Sequence, residues 1–286
     1  MFDRTQPLVS IVIPAWFKKN QDGKYGKNET FWFAQECLKK MIERTSKELY
    51  ELIIIDNGST LTDNDIFLSQ MPSEAIGKGE VYANQYLKDW MTINNYWSQA
   101  DILIRNQKNL GFGPACNQGF NLARGEYIIC INNDVIVWPG WIEALLNTFK
   151  QKLTPPPGVV MPALMKEIRD AREALKMETI DLTQNLGIYG RGAEFGSLWC
   201  IPRNIMEQIK KINKGYVFDE NFRLGMGEDR KLWCQIRQLN YETYRTHETR
   251  IFHQGNMTIS KVPDRKQYTE KNREYLSQWK KEQNIT

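Results

Sequence analysis

The sequence predicts an α/β fold in which a mostly parallel, Rossmann-like central sheet is flanked by helices. Three short apolar runs have the composition of strands buried on both faces: LVSIVI at 8–13, ELIIID at 51–56 and YIICIN at 127–132. Near-continuous apolar strands of this kind are typical of parallel sheets that helices cover on both sides. Helical patterns lie between the runs, and this alternation predicts βαβ units.

The remaining elements of the first half follow the same alternation. Helical periodicity covers residues 31–44, between the first two strands. A weaker strand, DILIR, is predicted at 101–105, and a helix at 114–123 begins with Pro114, which suits the first turn of a helix. Each predicted strand of this half is thus separated from the next by chain long enough for a crossover.

The second half has a less regular pattern. It begins at the rigid break TPPPG, residues 154–158, and predicts a polar helix near 165–178, a turn-rich stretch at 185–197 and a helix at 228–239. The tail, 264–282, has aromatic residues and a leucine at helical spacing among basic ones. We expect this tail helix to dock on its own domain; contact with a membrane surface or with a second copy of the chain is the alternative.

Two connections are longer than the roughly 2–6 residues usual in α/β loops. They cover residues 18–30 and 61–100. We predict that these connections are insertions that shape a cleft or contact a partner.

Composition and charge exclude several classes of protein. With 286 residues, of which 41% are hydrophobic, the chain can bury a large core. Its 38 basic and 34 acidic residues give a net charge of +4, which is too mild to predict a nucleic-acid partner. Five cysteines without a CxxC pair, and no apolar run of about 18 residues, predict a cytoplasmic protein without a transmembrane segment, or one bound peripherally at the inner face of the membrane.

Polar residues that end or follow predicted strands are the first candidates for a site. Asp56 could accept a hydrogen bond from a base or a ribose, because ligands bind at the carboxyl ends of strands in open α/β sheets. The Asn-Gly pair after it is also typical of a simple turn, which for this motif alone is the stronger interpretation. The loop NLGFGPACNQG, residues 109–119, could bring backbone close to a phosphate, although glycine-rich loops often serve geometry only.

The trio Asn132, Asn133 and Asp134 interrupts a run of buried strand character, YIICINNDVIVW. It is either a turn or the rim of a site. Asp134 could hold a divalent cation while Asn132 orients water, metal or a ribose hydroxyl, since hard cations prefer oxygen ligands. A single carboxylate holds a metal poorly unless a diphosphate supplies further oxygens.

Two acidic residues, Glu228 and Asp229, begin the predicted helix at 228–239. The helix dipole favours acidic residues there, which is a structural explanation. The functional explanation is a general base that is held rigidly behind two glycines. Later in the chain, His253 follows an apolar pair; a lone histidine is more often structural than a metal ligand.

The order of these motifs resembles the family 2 glycosyltransferases, which are inverting enzymes with the GT-A fold. The resemblance rests on a strand ending in Pro and an aromatic residue, then strand-Asp-Asn-Gly-Ser, Asn-x-Gly-Phe-Gly, a strand ending in Asn-Asn-Asp, the segment FDENF, Glu-Asp before a helix, and a late His. The Asn-Asn-Asp variant looks like the rhamnosyltransferase-like branch. Several weak motifs in one order, from about residue 8 to residue 256, are more specific together than any one alone.

The resemblance implies a nucleotide-sugar site built by the first half of the chain. Pro14, Ala15 and Trp16 match the family's loop beside the nucleotide, and Asp56 matches the carboxylate that reads the base. Further matches to donor-binding positions are Asn109, Gly111, Asn117, Asn132 and Asn133. The implied donor is a nucleoside diphosphate sugar, and a UDP-sugar is expected first.

The resemblance also implies a metal and a base. Asp134 matches the metal ligand of the DXD motif, and His253 matches a late histidine that completes a site for Mn²⁺ or Mg²⁺. Asp229 matches the catalytic base, and Glu228 its neighbour that helps to position an acceptor or the donor sugar. The chain departs from the family pattern in two places: an asparagine replaces the first Asp of DXD, and residues 115–116 lack the arginine that many members carry.

The implied organisation is one GT-A domain with a tail. Residues 1–153 would form its nucleotide-sugar-binding half, residues 154–260 its acceptor-binding and catalytic half, and residues 261–286 a C-terminal helical tail. The implied activity is that of a hexosyltransferase-like enzyme, which moves a sugar to a hydroxyl of a glycan, a lipid-linked molecule or another acceptor. Two alternatives stay open: a sugar nucleotidyltransferase, and a noncatalytic module that binds a nucleotide sugar or a glycan.

Overall fold

The structure, a computed structural model, describes residues 6–19, 29–70, 89–165, 167–168, 170–180, 182, 189–190, 196–222, 224–255 and 265–285. Much of the two predicted insertions and of the turn-rich stretch at 185–197 lies outside the described residues.

The first half of the central sheet is parallel, which confirms the predicted α/β arrangement. Its strands lie in the order β3 (Ile102–Arg105), β2 (Tyr50–Asp56), β1 (Val9–Ala15) and β4 (Tyr127–Ile131). In β1 and β2 the last residues, Ala15 and Asp56, are paired in register. The segments that follow all four strands therefore leave the sheet at one edge, called the carboxyl edge below.

The second half of the sheet changes direction at β4. The strands beyond it lie in the order β8 (Leu198–Pro202), β6 (Pro157–Leu164), β9 (Glu242–His253) and β5 (Val135–Ile136), and β7 (Tyr189–Gly190) pairs with β9. β8 runs antiparallel to β4, so β8 begins at the carboxyl edge. β5 and β9 pair antiparallel, with Val135 opposite His253. The residues before β5 thus lie beside the end of β9.

Helices complete the fold. They are α1 (Glu29–Glu43), α2 (Asp63–Gln70), α3 (Ile93–Ser98), α4 (Phe112–Leu122), α5 (Trp141–Phe149), α6 (Ala171–Lys176), α7 (Arg203–Ile212), α8 (Glu228–Gln238) and α9 (Arg265–Glu282). Alternate residues of β1 enter different apolar clusters: Ile11 belongs to one and Val12 to the other, because successive side chains of a strand point to opposite faces. Both faces of the sheet are therefore buried, which explains the near-continuous apolar runs.

The predicted helices exist, with shifted ends. α4 begins at Phe112, ahead of Pro114, because the first four N–H groups of a helix have no intrahelical partner and a proline there breaks no bond. α6 is shorter than predicted, since the carboxylate of Asp170 accepts a hydrogen bond from Arg172 N (2.9 Å) and caps the helix there. Within the described part of the chain, no helix has the length and apolar character needed to cross a membrane.

The long connection at 61–100 has structure of its own in its described parts. α2 and α3 both fall within it. The carboxylate of Asp63 at the start of α2 accepts a hydrogen bond from Ile93 N (2.7 Å), and Asn94 Nδ2 donates to the same carboxylate (2.7 Å). The two helices of this connection are therefore tied to one another.

Candidate active site

A cleft of about 300 Å³ opens at the carboxyl edge of the sheet. Its volume lies at the lower end of the range of small-molecule sites, roughly 300–1,000 Å³. The sequence-predicted residues that line the cleft are Pro14, Ala15, Trp16, Asn109, Asn132, Asn133, Asp134, Glu228, Asp229 and His253. The structure thus brings together side chains from the ends of β1, β4 and β9 and from the start of α8.

Asn57 organises the loop after β3 and lines the cleft itself. Its buried carboxamide donates to Asn109 Oδ1 and to Gly111 O, both at 3.0 Å. It accepts from Leu110 N at 3.0 Å and from Asn106 Nδ2 at 3.1 Å. Four hydrogen bonds from one side chain therefore fix the position of Asn109 at the cleft wall.

The Asn-Gly turn after β2 has a steric reason as well. Gly58 has φ +78°, in the region where side chains are strained. A Cβ at this position would lie 2.3 Å from the carbonyl carbon of Lys108. The turn interpretation of this motif is thus confirmed, and the turn lets the loop after β3 approach closely; the role of Asp56 toward a ligand stays a prediction.

Three sequence-predicted residues lie outside the lining of the cleft. Asp56 is buried, and its carboxylate accepts from Ser59 N (2.9 Å) and Arg105 Nε (3.2 Å). Gly111 has φ +98° and donates its N–H to Asn109 Oδ1 (2.8 Å).

Asn117, the third of these residues, is engaged by the segment FDENF. Its Nδ2 donates to Phe218 O (2.8 Å) and to Glu220 Oε1 (3.0 Å), and its Oδ1 accepts from Phe218 N (3.0 Å). Asn117 therefore joins α4 to that segment.

The polar trio between β4 and β5 is held by backbone contacts to two other segments. Asn132 N donates to Ser197 O (2.8 Å), just ahead of β8. Asp134 Oδ2 accepts from Gly255 N (3.1 Å), while His253 Nε2 lies 3.2 Å from Asp134 Oδ1. The pairing of β5 with β9 is what brings His253 to Asp134.

These residues fit a divalent cation that a bound ligand shares. Asp134 and His253 supply one carboxylate and one imidazole, and the buried Oδ1 of Asn132 has no hydrogen-bond partner among the residues that the structure describes. Among the described residues, no group of three His, Cys, Asp or Glu side chains is arranged to hold a metal. Because Mn²⁺ and Mg²⁺ need about six ligands, most of them oxygens, phosphate oxygens would have to complete the site.

Glu228 and Asp229 differ sharply in environment. Glu228 is buried, and within the described part of the chain its Oε2 has no hydrogen-bond partner. Burial, and then the negative charge of Asp229, raise the pKa of Glu228 to about 8. At neutral pH Glu228 is therefore mainly a neutral carboxylic acid, able to donate a hydrogen bond.

Asp229 is the half-buried carboxylate of the pair. Its Oδ1 accepts from Arg230 N at 2.8 Å. On the other side it faces Gly196, where a Cβ would lie 3.0 Å from Asp229 Oδ2. A glycine ahead of β8 thus leaves the space that the Asp229 carboxylate occupies.

The loop before α8, Leu224 to Gly227, has an unusual backbone. Its φ values are +60° at Leu224, +98° at Gly225, +81° at Met226 and +125° at Gly227. Positive φ is costly for residues with a side chain and persists only where the surroundings impose it. Leu224, Gly225 and Met226 all line the cleft, so the strained segment is part of its wall.

Sequence reasoning missed several lining residues, namely Asn57, Phe112, Gly196, Ser197, Leu224, Gly225 and Met226. Asn57 was visible as the polar neighbour of Asp56, and Phe112 as part of the glycine-rich loop. Ser197 has a buried hydroxyl that bonds to none of the described residues, but it lies in a turn-rich segment without any periodic pattern. Only the antiparallel return of β8 to the carboxyl edge places Ser197 in the cleft.

Comparison with known sequences gives one family. Residues 85–205 match the family described as Glycosyl transferase family 2. The uncharacterized glycosyltransferase MJ1057 of Methanocaldococcus jannaschii is 27% identical over 138 residues, which are 48% of this chain and 36% of that protein. Glycosyltransferase GlyG of Streptococcus pneumoniae serotype 4 is 27% identical over 145 residues, which are 51% of this chain and 36% of that protein. The matched region thus spans about a third of the length of these curated relatives.

Comparison with solved structures confirms the predicted GT-A fold class. The crystal structure of GalNAc-T7 with UDP, GalNAc and Mn²⁺ superposes with a TM-score of 0.52. The superposition covers 88% of this chain and 44% of that chain, at 16% sequence identity. At this identity the likeness concerns the fold alone.

Proposed function

We propose that this chain, whose residues 85–205 match the Glycosyl transferase family 2 model, is a member of that family and transfers a sugar from a nucleoside diphosphate donor to a hydroxyl of an acceptor. One observation carries the proposal: Asp229 and the Asp134–His253 pair line the same cleft at the carboxyl edge of the sheet. A proton acceptor and a candidate cation site are the two parts that displacement of a nucleoside diphosphate requires.

The donor would occupy the side of the cleft built by the first half of the chain. Pro14, Ala15 and Trp16 would lie beside the nucleotide, and Asp56, just behind this wall, would read its base. Asn109 lies at the wall next to Gly111, whose backbone would approach the donor. We expect a UDP-sugar first; the GalNAc-T7 structure contains UDP and Mn²⁺, which supports this choice.

Asn117 would act indirectly in this scheme. Its three hydrogen bonds to Phe218 and Glu220 use the carboxamide that was predicted to line the nucleotide sugar. Its contribution would be to hold α4 against the segment that leads to the acceptor side. The acceptor side itself would be built by residues after the break at 154–158, including Leu224 to Asp229.

The reaction would be a direct displacement with inversion. Asp229 removes the proton of the acceptor hydroxyl while that oxygen forms a bond to the anomeric carbon, and the bond from this carbon to the diphosphate oxygen breaks with its electron pair going to the diphosphate. Neutral Glu228 donates a hydrogen bond to a hydroxyl of a sugar. A divalent cation held by Asp134, His253 and Asn132 would, when bound, neutralise charge on the diphosphate.

Nucleotide binding and its metal dependence test this proposal. The melting temperature is measured with UDP, GDP, CDP or dTDP and their common sugar conjugates, each with Mn²⁺, Mg²⁺ or EDTA. A ligand at about 100 times its dissociation constant stabilises the fold by roughly 2.7 kcal/mol. We expect one nucleotide to raise the midpoint, and its metal-dependent part to be lost in Asp134→Asn.

Product analysis distinguishes the alternatives. Release of the nucleoside diphosphate from the sugar conjugate supports the transferase. Release of pyrophosphate from a nucleoside triphosphate and a sugar phosphate would instead identify a nucleotidyltransferase. Stabilisation by a nucleotide sugar without any turnover would identify a binding module and contradict the proposal.

A further inference from the structure

The loop Leu224–Gly227 must be held from outside, because its own backbone conformation is unfavourable. Leu224 and Met226 are non-glycine residues at φ +60° and +81°. Residues in sparsely populated backbone regions cost about 1–3 kcal/mol each. Asp229 follows this loop directly, so whatever holds the loop also sets where the carboxylate of Asp229 lies.

Side chains of the tail helix α9 contact the centre of this loop. Asn272 is 3% exposed, and its Nδ2 donates to Gly225 O at 2.9 Å. Thr269, on the preceding turn of α9, places its hydroxyl 3.5 Å from the sulfur of Met226. The carbonyl of a residue with φ +98° is therefore fixed by a side chain that comes from outside the cleft.

Tyr275 of α9 contacts the segment that precedes the loop. Its hydroxyl donates to Asp219 Oδ2 (2.6 Å), and its ring packs edge-on against Phe222 at 5.1 Å between centroids. Burial and the hydrogen bond to Asp219 raise the pKa of Tyr275 to about 12, so the phenol keeps the proton that it donates.

Lys231 lies in α8, the helix that follows the loop, and contacts the same carboxylate as Tyr275, that of Asp219. Its ammonium pairs with Asp219 and lies over the ring of Trp279 at 4.8 Å. Burial alone would raise the pKa of Asp219, but hydrogen bonds from Lys231 and Tyr275 outweigh burial and lower it. Both ends of the loop and its centre are thus tied to α9.

We propose that Asn272 and Tyr275 are positioning residues, through which α9 holds the loop Leu224–Gly227 in its strained form and sets the place of Asp229. Neither residue lines the cleft described above, so each acts through the loop and not on the substrate. The role assigned to Asp229 rests on the proposed function; the support of the loop by α9 does not.

Hydrogen exchange measured by mass spectrometry tests the support of the loop without any substrate. Asn272→Leu keeps the size of the side chain and removes the donor to Gly225 O. Leu276→Ala, on the same helix, removes a buried apolar group that has no hydrogen-bonding atom. We expect amides of residues 224–230 to exchange at least about tenfold faster in Asn272→Leu than in Leu276→Ala, since loss of a hydrogen bond to a strained carbonyl releases the loop.

Equal acceleration in the two variants, or none in Asn272→Leu, would overturn the proposal, because α9 would then only cover an apolar surface. Should Asn272→Leu fail to fold, Tyr275→Phe provides the second test. It keeps the ring against Phe222 and removes the two bonds of the hydroxyl, the one donated to Asp219 and the one accepted from Asn221 Nδ2 (3.2 Å), and we expect faster exchange at residues 219–226.

Kinetics separate positioning from binding. With UDP-glucose and Mn²⁺ as the probe, we expect Asn272→Leu to lower kcat for release of UDP about tenfold while KM changes less than twofold, since the base is misplaced but the donor wall is intact. Leu276→Ala should keep both constants. If residues 224–230 exchange faster in Asn272→Leu but kcat is unchanged, the loop does not set the position of Asp229. Absence of turnover by the unsubstituted chain with every donor would contradict the proposed function and leave the exchange result to stand alone.

Discussion

Two buried glutamates, one far from the carboxyl edge of the sheet and one at it, differ in the hydrogen bonds that their side chains make. Glu51 and Glu228 are each 4% exposed. Glu51 is the second residue of β2, far from the carboxyl edge, and Glu228 lies in the cleft at that edge. Their burial is equal, so any difference between them comes from their partners.

Both oxygens of Glu51 are engaged. Oε1 accepts from Ser10 Oγ (2.6 Å) and Arg124 N (2.7 Å). Oε2 accepts from two guanidinium nitrogens of Arg124, at 2.8 and 2.6 Å. The carboxylate joins β2, β1 and the chain before β4 and has no capacity left for another strong contact.

Glu228 has an oxygen that no described residue contacts by a hydrogen bond, and its pKa is raised to about 8. Burying a polar group without a partner costs free energy that a fold normally avoids. The difference teaches that Glu51 serves the fold, whereas Glu228 keeps an oxygen in the cleft that, under the proposed function, would meet a hydroxyl of a sugar.

The largest effect is expected at the neighbour of Glu228. Asp229→Asn keeps the shape of the side chain and removes the base, so kcat should fall by about 10²–10⁴-fold. The affinity for the nucleoside diphosphate should stay within about twofold, because the donor wall is untouched. Steady-state kinetics and calorimetry measure the two quantities, and Glu173→Gln, an exposed residue of α6, is the matched control. Sugar transfer at the parent rate would remove Asp229 from its role.

Glu51→Gln should lower the stability of the fold and leave the cleft unchanged. It replaces two acceptor oxygens by one and points an N–H group at groups that are themselves donors. We expect the free energy of unfolding to fall by about 1.5–3 kcal/mol, the range for hydrogen bonds to charged groups. Urea unfolding measures this change. Activity per folded molecule should be retained, and a loss of activity without a loss of stability would contradict the division between the two edges.

Glu228→Gln should remove the part of the pH dependence of the free energy of unfolding that comes from Glu228. The unfolded chain releases this proton near the ordinary glutamate pKa of about 4.3, whereas the folded chain keeps it up to about 8. The folded state therefore binds more protons between these values. The free energy of unfolding falls as pH rises through the window, by up to about 1.4 kcal/mol per pH unit.

The variant should lack this slope and become relatively more stable toward pH 8. Urea unfolding of both proteins at a series of pH values between about 5 and about 8 measures the difference. If the same slope persists in Glu228→Gln, the titrating group is another residue. The control is Glu51→Gln, in which we expect the Glu228 slope to remain.

The smallest effect is expected at Asn57, a residue that serves both fold and site. Asn57→Ala removes four neutral hydrogen bonds to the loop after β3, of which each contributes about 0.5–1.5 kcal/mol when water does not replace it. Because this loop is partly exposed and can rehydrate, we expect a loss of about 1 kcal/mol and a rise of about fivefold in the dissociation constant for the nucleotide. Unchanged nucleotide affinity would mean that Asn109 is positioned by other contacts.

The sequence predicts the parallel half of the sheet well, for a physical reason. Strands covered on both faces have near-continuous apolar runs, and LVSIVI and ELIIID combine this character with a length typical of strands and with β-branched residues. Motifs that end such strands, including Asp56 and the trio at 132–134, are located together with them.

The rest of the site follows from tertiary contacts that no local pattern encodes. Whether the carboxamide of Asn117 faces a ligand or the backbone of Phe218 depends on where the segment FDENF packs. Ser197 enters the cleft only because β8 runs back along β4, and Met226 lies in a loop that α9, distant in sequence, contacts through Thr269 and Asn272. The division of the chain into donor and acceptor halves stays a prediction.

The short pairing of β5 with β9 has a consequence for how the molecule is made. A bond from Gly255 to Asp134 spans 121 residues, and His253 reaches Asp134 through the same pairing. Contacts of such long sequence separation form late, since the loop they close must be ordered first. During synthesis the parallel strands can assemble well before β9 has left the ribosome. The newborn chain would thus have its parallel strands before His253 can reach Asp134.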